Sequence, residues 1–176
     1  NGLSVRIHLG IYGKWRYYGK AEKDVLGQVR ARFYTSKAMA DLRGPTVCEV
    51  IDSQQAKLLE KKLGPDPTNP DPKKINQARF VERVLKSKSA IGLLLMNQSV
   101  LSGVGNVYRA ELLFRAKISP HRAGDSLTQK QVVNLWQDSV ALMKVGIAKG
   151  VMVTRQEQLS SSKIHDERNY VYKREG

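Results

Sequence analysis

The chain has 176 residues, of which 30 are Lys or Arg and 16 are Asp or Glu, giving a formal charge of +14. With 41% hydrophobic residues it can bury a core, which excludes a disordered basic tail, and the charge points to a polyanion as partner. The longest apolar run, 90–96 with Gly92 inside it, is far too short to cross a bilayer, and the one cysteine, Cys48, leaves no disulfide framework and no thiolate zinc cluster, as in a reducing cytoplasm.

Leu3, Val5, Ile7 and Leu9 alternate with Ser4, Arg6 and His8, which predicts a half-buried strand with Arg6 and His8 on the face away from the core. Gly10 and Gly13 bracket Ile11 and Tyr12 in a tight turn, and a second strand follows at 14–18. Residues 28–33 alternate again, burying Val29, Ala31 and Phe33 and turning Arg30 and Arg32 outward, and 46–51 is another β-rich run. A helix over about 53–63 stops at Gly64-Pro65. The next segment is dense in proline and reads as an extended, stiff linker and domain boundary.

Beyond it the hydrophobic period becomes helical. Helices are expected over 74–85, 89–98 and 107–116. Thr128 with Gln131 has capping-box spacing, and opens a long helix packing through Val132, Leu135, Trp136, Ser139, Met143 and Ile147 and ending at Gly150. Residues 151–169, rich in Ser and Gln, read as a mobile loop. The expected class is α+β, an antiparallel β part followed by a helical domain.

The stretch with most chemical content joins an apolar helix to a second helix through Gly103-Val104-Gly105-Asn106. Glycines allow close backbone approach and positive φ, and a helix N-terminus offers free N–H groups and a positive dipole end, which together make an anion site. Asn106 can cap the helix or donate to a phosphate, hardly both. On spacing alone an ordinary glycine turn between core helices is equally good. No Gly-Lys-Ser/Thr follows and no strand precedes, so neither a P-loop nor a dinucleotide fingerprint is present.

The sequence Leu95-Met96-Asn97-Gln98, then Gly103-Val104-Gly105-Asn106-Val107-Tyr108-Arg109-Ala110-Glu111-Leu112-Leu113-Phe114 and Ile118-Ser119-Pro120, resembles the helix-two-turn-helix domain of the formamidopyrimidine-DNA glycosylase/endonuclease VIII family. Three further segments match in order: His8-Leu9-Gly10-Ile11-Tyr12-Gly13, Asp41-Leu42-Arg43-Gly44-Pro45-Thr46 and Tyr170-Val171-Tyr172-Lys173-Arg174. The resemblance implies part of a β-sandwich catalytic domain over 1–63, a linker over 64–73, the helix-two-turn-helix domain over 74–150, and over 151–176 a loop and strand leading towards a zinc finger.

It also implies roles. Asn106 and His8 would contact phosphates, with Gly103 and Gly105 shaping that site. Ile11 and Tyr12 would form the intercalating wedge, Arg43 would meet the orphaned opposite base, and Arg109, Glu111 and Gln98 would support the site. Exposed apolar residues at a turn tip are costly unless they meet something, and base steps are a good candidate. The family's nucleophile is an amino-terminal proline, followed by a glutamate, with a lysine on a following hairpin. These act through a Schiff base and strand cleavage. None of them occurs in this sequence, nor do the zinc-finger cysteines, so this polypeptide is expected to bind DNA without excising bases. Zinc is expected only in a longer protein, and no other cofactor is implied. Ser99 stands where oxidised-guanine specialists carry a basic residue, which leans towards an endonuclease VIII-like member.

The partner implied is duplex DNA with damaged bases or abasic sites, bound by a monomeric base excision repair protein, a glycosylase/AP lyase in full, on the cytoplasmic nucleoid. A non-catalytic nucleic-acid-binding protein is the alternative, because helix-hairpin-helix modules and a small-subunit ribosomal protein family share the turn. The strand-turn at His8-Leu9-Gly10 speaks against it.

Overall fold

The computed structural model describes residues 2–19, 24, 25, 27–69, 71–163 and 166–172. The chain divides into two compact units, 1–60 and 61–176.

In the first unit, β1 (Leu3–His8) pairs antiparallel with β5 (Val47–Asp52), and β2 (Lys14–Tyr18), β4 (Met39–Arg43) and β3 (Ala31–Tyr34) form a second antiparallel sheet in that order. The central strand β4 was not among the expected strands, because Met-Ala-Asp-Leu-Arg has no β-branched residue and carries a charge mid-strand. Pairing makes that charge tolerable. Arg32 lies opposite Asp41 in the register and donates from Nε and Nη2 to its two oxygens at 2.7 and 2.9 Å, while Arg43 Nη2 stands 3.6 Å away. The Arg32 hydrogen bonds hold the Asp41 carboxyl below its ordinary range against the opposing pull of burial.

This corrects the expected basic face. Arg32 is joined to the fully buried Asp41 and Arg6 is paired with Glu49 at 2.7 Å, so neither is a free surface cation, while Arg30 precedes β3. The half-buried strand is also corrected: Leu3 and Val5 on β1 and Val50, opposite Val5, are 66%, 48% and 65% exposed. Phe33, expected inside, is 42% exposed and packs beside Trp15 at 5.7 Å.

Helix α1 (Ser53–Lys62) leads to the second unit. The segment after it is packed rather than extended. Gly64 N–H donates to Gln98 O and Ser102 N–H to Pro65 O, and Pro65 and Pro67 are buried. Proline has no N–H to satisfy, so it buries cheaply. Pro70 lies outside the described residues.

Helices α2 (Ile75–Leu85), α4 (Asn106–Ala116) and α5 (Gln129–Lys149) carry the core of this unit. Phe80 on α2 meets Trp136 on α5 at 5.7 Å, over Val84, Leu95, Leu112, Leu135 and Leu142, all nearly or wholly excluded from solvent. The helix expected over 89–98 reduces to α3 (Ile91–Leu94), because Asn97 Oδ1 takes the Ser99 N–H and hydroxyl and turns the chain early. The capping box forms as expected: Gln131 N–H donates to Thr128 Oγ1 and Thr128 N–H to Gln131 Oε1, and Gly150 ends α5 at φ 66°.

One expected core residue of α5 is outside. Ile147 is 70% exposed, and Leu142 takes a core place that the stripe had not included. The stripe continues instead at Gly146, whose missing side chain makes room for the Tyr108 ring and hydroxyl. Residues 170–172 are turn and bend, not strand, and Lys173 and Arg174 lie outside the described residues.

Candidate nucleic-acid interface

The turn before α4 is built by one side chain. Gln98 Oε1 accepts the Gly103 N–H at 2.9 Å, and its Nε2 donates to Val104 O at 2.9 Å and Met96 O at 3.2 Å. The Gly103 N–H is therefore already engaged, and Gly103 shapes the turn through its φ of +81°. A Cβ there would sit 3.1 Å from Met143 Cε. Gly103→Ala is expected to lower the stability of the helical unit by about 1–2 kcal/mol, the cost of a left-handed alanine. A urea melt unchanged within error would show that the turn relaxes freely.

Gly105 is the N-cap, in extended conformation at φ −110°, and the first helical bond runs from Arg109 N–H to Gly105 O. The N–H groups of residues 106–108 therefore have no partner within the helix. Gly105 has no side chain to cap with, and the first turn holds no acidic residue. Asn106 is the first helical residue and is exposed. Asn106 is therefore not the cap residue, and its amide stands at the positive end of α4. Arg109, one turn on, is half-buried, and burial pushes the Tyr108 hydroxyl up from its ordinary pKa.

Glu111 is fully buried. It does not face the anion site but holds residues 154 and 170–172, so the support expected of it acts on the C-terminal segment.

In the first unit the turn after β1 is closed by Gly13 N–H donating to Leu9 O at 2.9 Å. Gly10 takes φ +63° against Thr46, whose Oγ1 would overlap any Cβ there. The turn presents Ile11 and Tyr12 at 88% and 80% exposure, so neither packs back on its own sheet. Gly44 passes close to the Tyr12 backbone, which brings the 43–46 turn beside Ile11 and Tyr12. Arg43 enters that turn with its guanidinium leaning on Asp41 and its side chain 27% exposed. His8 is exposed at the end of β1, opposite Val47.

Sequence reasoning had not found the Asp41 anchor of Arg43 or the way Gln98 ties the turn. Both depend on partners whose adjacency only strand register or a loop path creates.

Two concavities of the helical unit, about 860 and about 650 Å³, are lined around Phe114, Asp138 and Tyr170 and around Pro67, Gln77 and Trp136, and neither includes Asn106. No group of three or more His, Cys, Asp or Glu among the described residues could hold a metal ion, so they do not fit a zinc site. No helix among them is long and apolar enough to cross a membrane.

Residues 63–168 match the formamidopyrimidine-DNA glycosylase H2TH domain. The chain is 42% identical over 183 residues to the protein named Endonuclease 8 1 of Mycobacterium tuberculosis, covering 99% of this chain and 67% of that protein. It is 30% identical over 168 residues to a formamidopyrimidine-DNA glycosylase of Listeria innocua, covering 92% and 60%. Among solved structures, a Lactococcus lactis glycosylase complexed with DNA containing N7-benzyl-Fapy-dG is similar at TM-score 0.74 and 24% identity, over 96% of this chain and 63% of that one. The same organism's glycosylase with abasic-site DNA matches at TM-score 0.72 and 24% identity, over 87% and 57%. The chain thus spans about three fifths to two thirds of the length of these relatives, and the solved structures show the shared fold of β-sandwich part and helix-two-turn-helix.

Proposed function

The chain belongs to the formamidopyrimidine-DNA glycosylase/endonuclease VIII family, and from that premise we propose that it is the damage-recognition part of a base excision repair glycosylase/AP lyase acting on duplex DNA. The observation that carries this reading is the exposed Asn106 at the N-terminus of α4, with the N–H groups of the first turn unpartnered inside the helix and no acidic residue within that turn. That arrangement suits a phosphate. Asn106 and His8 would hold phosphates on the lesion strand. Ile11 and Tyr12 would enter the base stack while the damaged nucleotide turns outward, and Arg43 would face the base left behind. Gly103, Gly105 and Gln98 shape the phosphate turn and Arg109 extends it with a cation.

This division assigns the chain holding and bending of the duplex. In the whole enzyme, attack on the sugar would fall to an amino-terminal proline amine. The working place of such a protein would be the bacterial nucleoid, and zinc, where the whole enzyme binds it, would be held by a zinc finger. The name of the mycobacterial relative favours the endonuclease VIII side of the family, in agreement with Ser99.

The test is duplex binding against salt. Phosphate neutralisation releases counterions, so the logarithm of the binding constant should fall linearly with the logarithm of salt concentration, with a slope of about −0.9 per phosphate neutralised. An abasic duplex should bind more tightly than an intact one at every salt concentration. A flat salt dependence would refute the nucleic-acid reading, and equal affinity for the two duplexes would refute damage recognition.

A further inference from the structure

Glu111 is a buried carboxylate that the proposed phosphate site does not use. It sits on α4, one and a half turns after Asn106, and is fully excluded from solvent. Its Oε2 accepts from Thr154 Oγ1 at 2.6 Å and from Tyr170 N–H at 2.9 Å, and its Oε1 accepts from the N–H groups of Val171 and Tyr172, both at 2.8 Å. Three successive N–H groups converging on one point form an anion-binding nest, and here the anion is supplied by the protein itself. None of the four donors is a cation, so the carboxylate's direct partners are neutral N–H and O–H groups, with the Arg115 guanidinium acting on it only coulombically.

Val171 and Tyr172 are 40% and 45% exposed and belong to no strand. Arg115, one turn further along α4, adds a second tie by donating to Thr154 O at 2.5 Å and Gln156 Oε1 at 2.9 Å while paired with Asp138 at 2.7 Å. Beside these ties Arg155 lies over the Tyr170 ring at 5.6 Å and Tyr170 stacks on Phe114 at 5.3 Å.

We propose that Glu111 is a positioning residue: by gripping the N–H groups of 170–172 together with Thr154 it closes the base of the 151–172 segment and fixes it to the helix that presents Asn106. The mobile loop expected from composition is therefore a segment with a clamped base. The consequence for DNA rests on the function proposed above, since the segment carries Arg155 and stands on the same helix as the phosphate site.

The two carboxylate oxygens have different partners, so two variants give different signatures in amide hydrogen exchange read residue by residue. Glu111→Gln keeps one acceptor oxygen, which the two N–H groups of Val171 and Tyr172 favour over one. The new amide nitrogen then faces the Tyr170 N–H, while the Thr154 hydroxyl rotates to accept. Exchange should rise about tenfold or more at Tyr170 alone. Glu111→Leu should raise it at all three amides, with the α5 amides unchanged in both variants. In the same chain, Glu111→Leu should weaken binding to an abasic duplex by about two- to thirtyfold, the scale of coupling through a packed network.

Uniform acceleration that includes α5 would make Glu111 only a determinant of global stability and overturn the proposal, as would identical exchange patterns in the two variants. Altered exchange with unchanged DNA affinity would overturn its link to the phosphate site. A wild-type chain that binds no duplex would refute the proposed function, and the exchange pattern would still decide the clamp.

Discussion

Replacing Asn106 with Ala is expected to weaken binding to a duplex carrying an abasic site by about 1–3 kcal/mol, a change of about five- to 150-fold, because a hydrogen bond to a charged phosphate is lost at a helix end where little else compensates. The substitution should leave folding almost untouched. Asn106 is exposed, is not the N-cap and stands on a helix whose cap is Gly105, so alanine there removes no capping bond and suits a helix interior. The salt slope should decline by less than one, since an amide contact releases no counterion by itself. Affinity measured by anisotropy together with a urea melt separates the readings. Unchanged affinity with a loss of stability would return Asn106 to a structural role, and unchanged affinity with unchanged stability would remove it from the interface.

The second large effect concerns the turn after β1. Ile11 and Tyr12 are 88% and 80% exposed on a turn fixed by the Gly13 N–H to Leu9 O bond and by Gly10 at positive φ. The backbone of that turn does not depend on their side chains. Ile11→Ala combined with Tyr12→Ala should therefore change stability by no more than about 0.5 kcal/mol. It should reduce affinity for abasic duplex by about 1–3 kcal/mol, the scale of a side chain stacking on or between bases. The loss should be greatest where a base step is already weakened, so intact duplex should suffer less and the preference for damage should shrink. Bending of the duplex, followed by energy transfer between dyes at its ends, should shrink with it. A double variant that keeps its preference for abasic DNA would show that the turn does not enter the stack.

Much of the helical unit was legible because its signals are local. The Thr128 and Gln131 capping box needs only a spacing of three, the Gly150 stop needs only a residue that accepts positive φ, and the stripe through Val132, Leu135, Trp136, Ser139 and Met143 follows from helical period. Period alone put Ile147 in the core, whereas the contact of Gly146 with Tyr108 on α4 turns that position outward. The helix expected to run to 98 failed for a local reason too: Asn97 competes for the backbone of Ser99.

The β unit was less legible, and its central strand shows why. Met39, Ala40, Asp41, Leu42 and Arg43 have weak strand preference by composition, and their burial depends on β2 and β3 lying on either side. Asp41 becomes tolerable there because register sets Arg32 opposite it and Arg43 two residues on along the same face. Alternation identified β1, but could not say whether its apolar side is covered, and Leu3 and Val5 are open to solvent in this chain. The basic face inferred from alternating arginines was reduced for the same reason, as Glu49 reaches Arg6 from a distant strand and Asp41 meets Arg32 from the strand paired beside it.

The sequence by itself determined that this protein carries a strongly basic excess on a folded body, that it joins a β part to a helical part, and that a glycine turn opens a helix at Asn106. These are properties of composition, period and local backbone preference, which act over a few residues. Only the tertiary structure decided which cations are free, which N–H groups of the glycine turn remain open, and what Glu111 does. The first and the last depend on a hydrogen-bond partner far away in the chain, Glu49 for Arg6 across 43 residues and residues 170–172 for Glu111 across about 60, while the Gly103 N–H is taken by the Gln98 side chain through the path of the loop between them. Free charge and free donors are what remains after folding has paired the rest, and that remainder is set in space and not along the sequence.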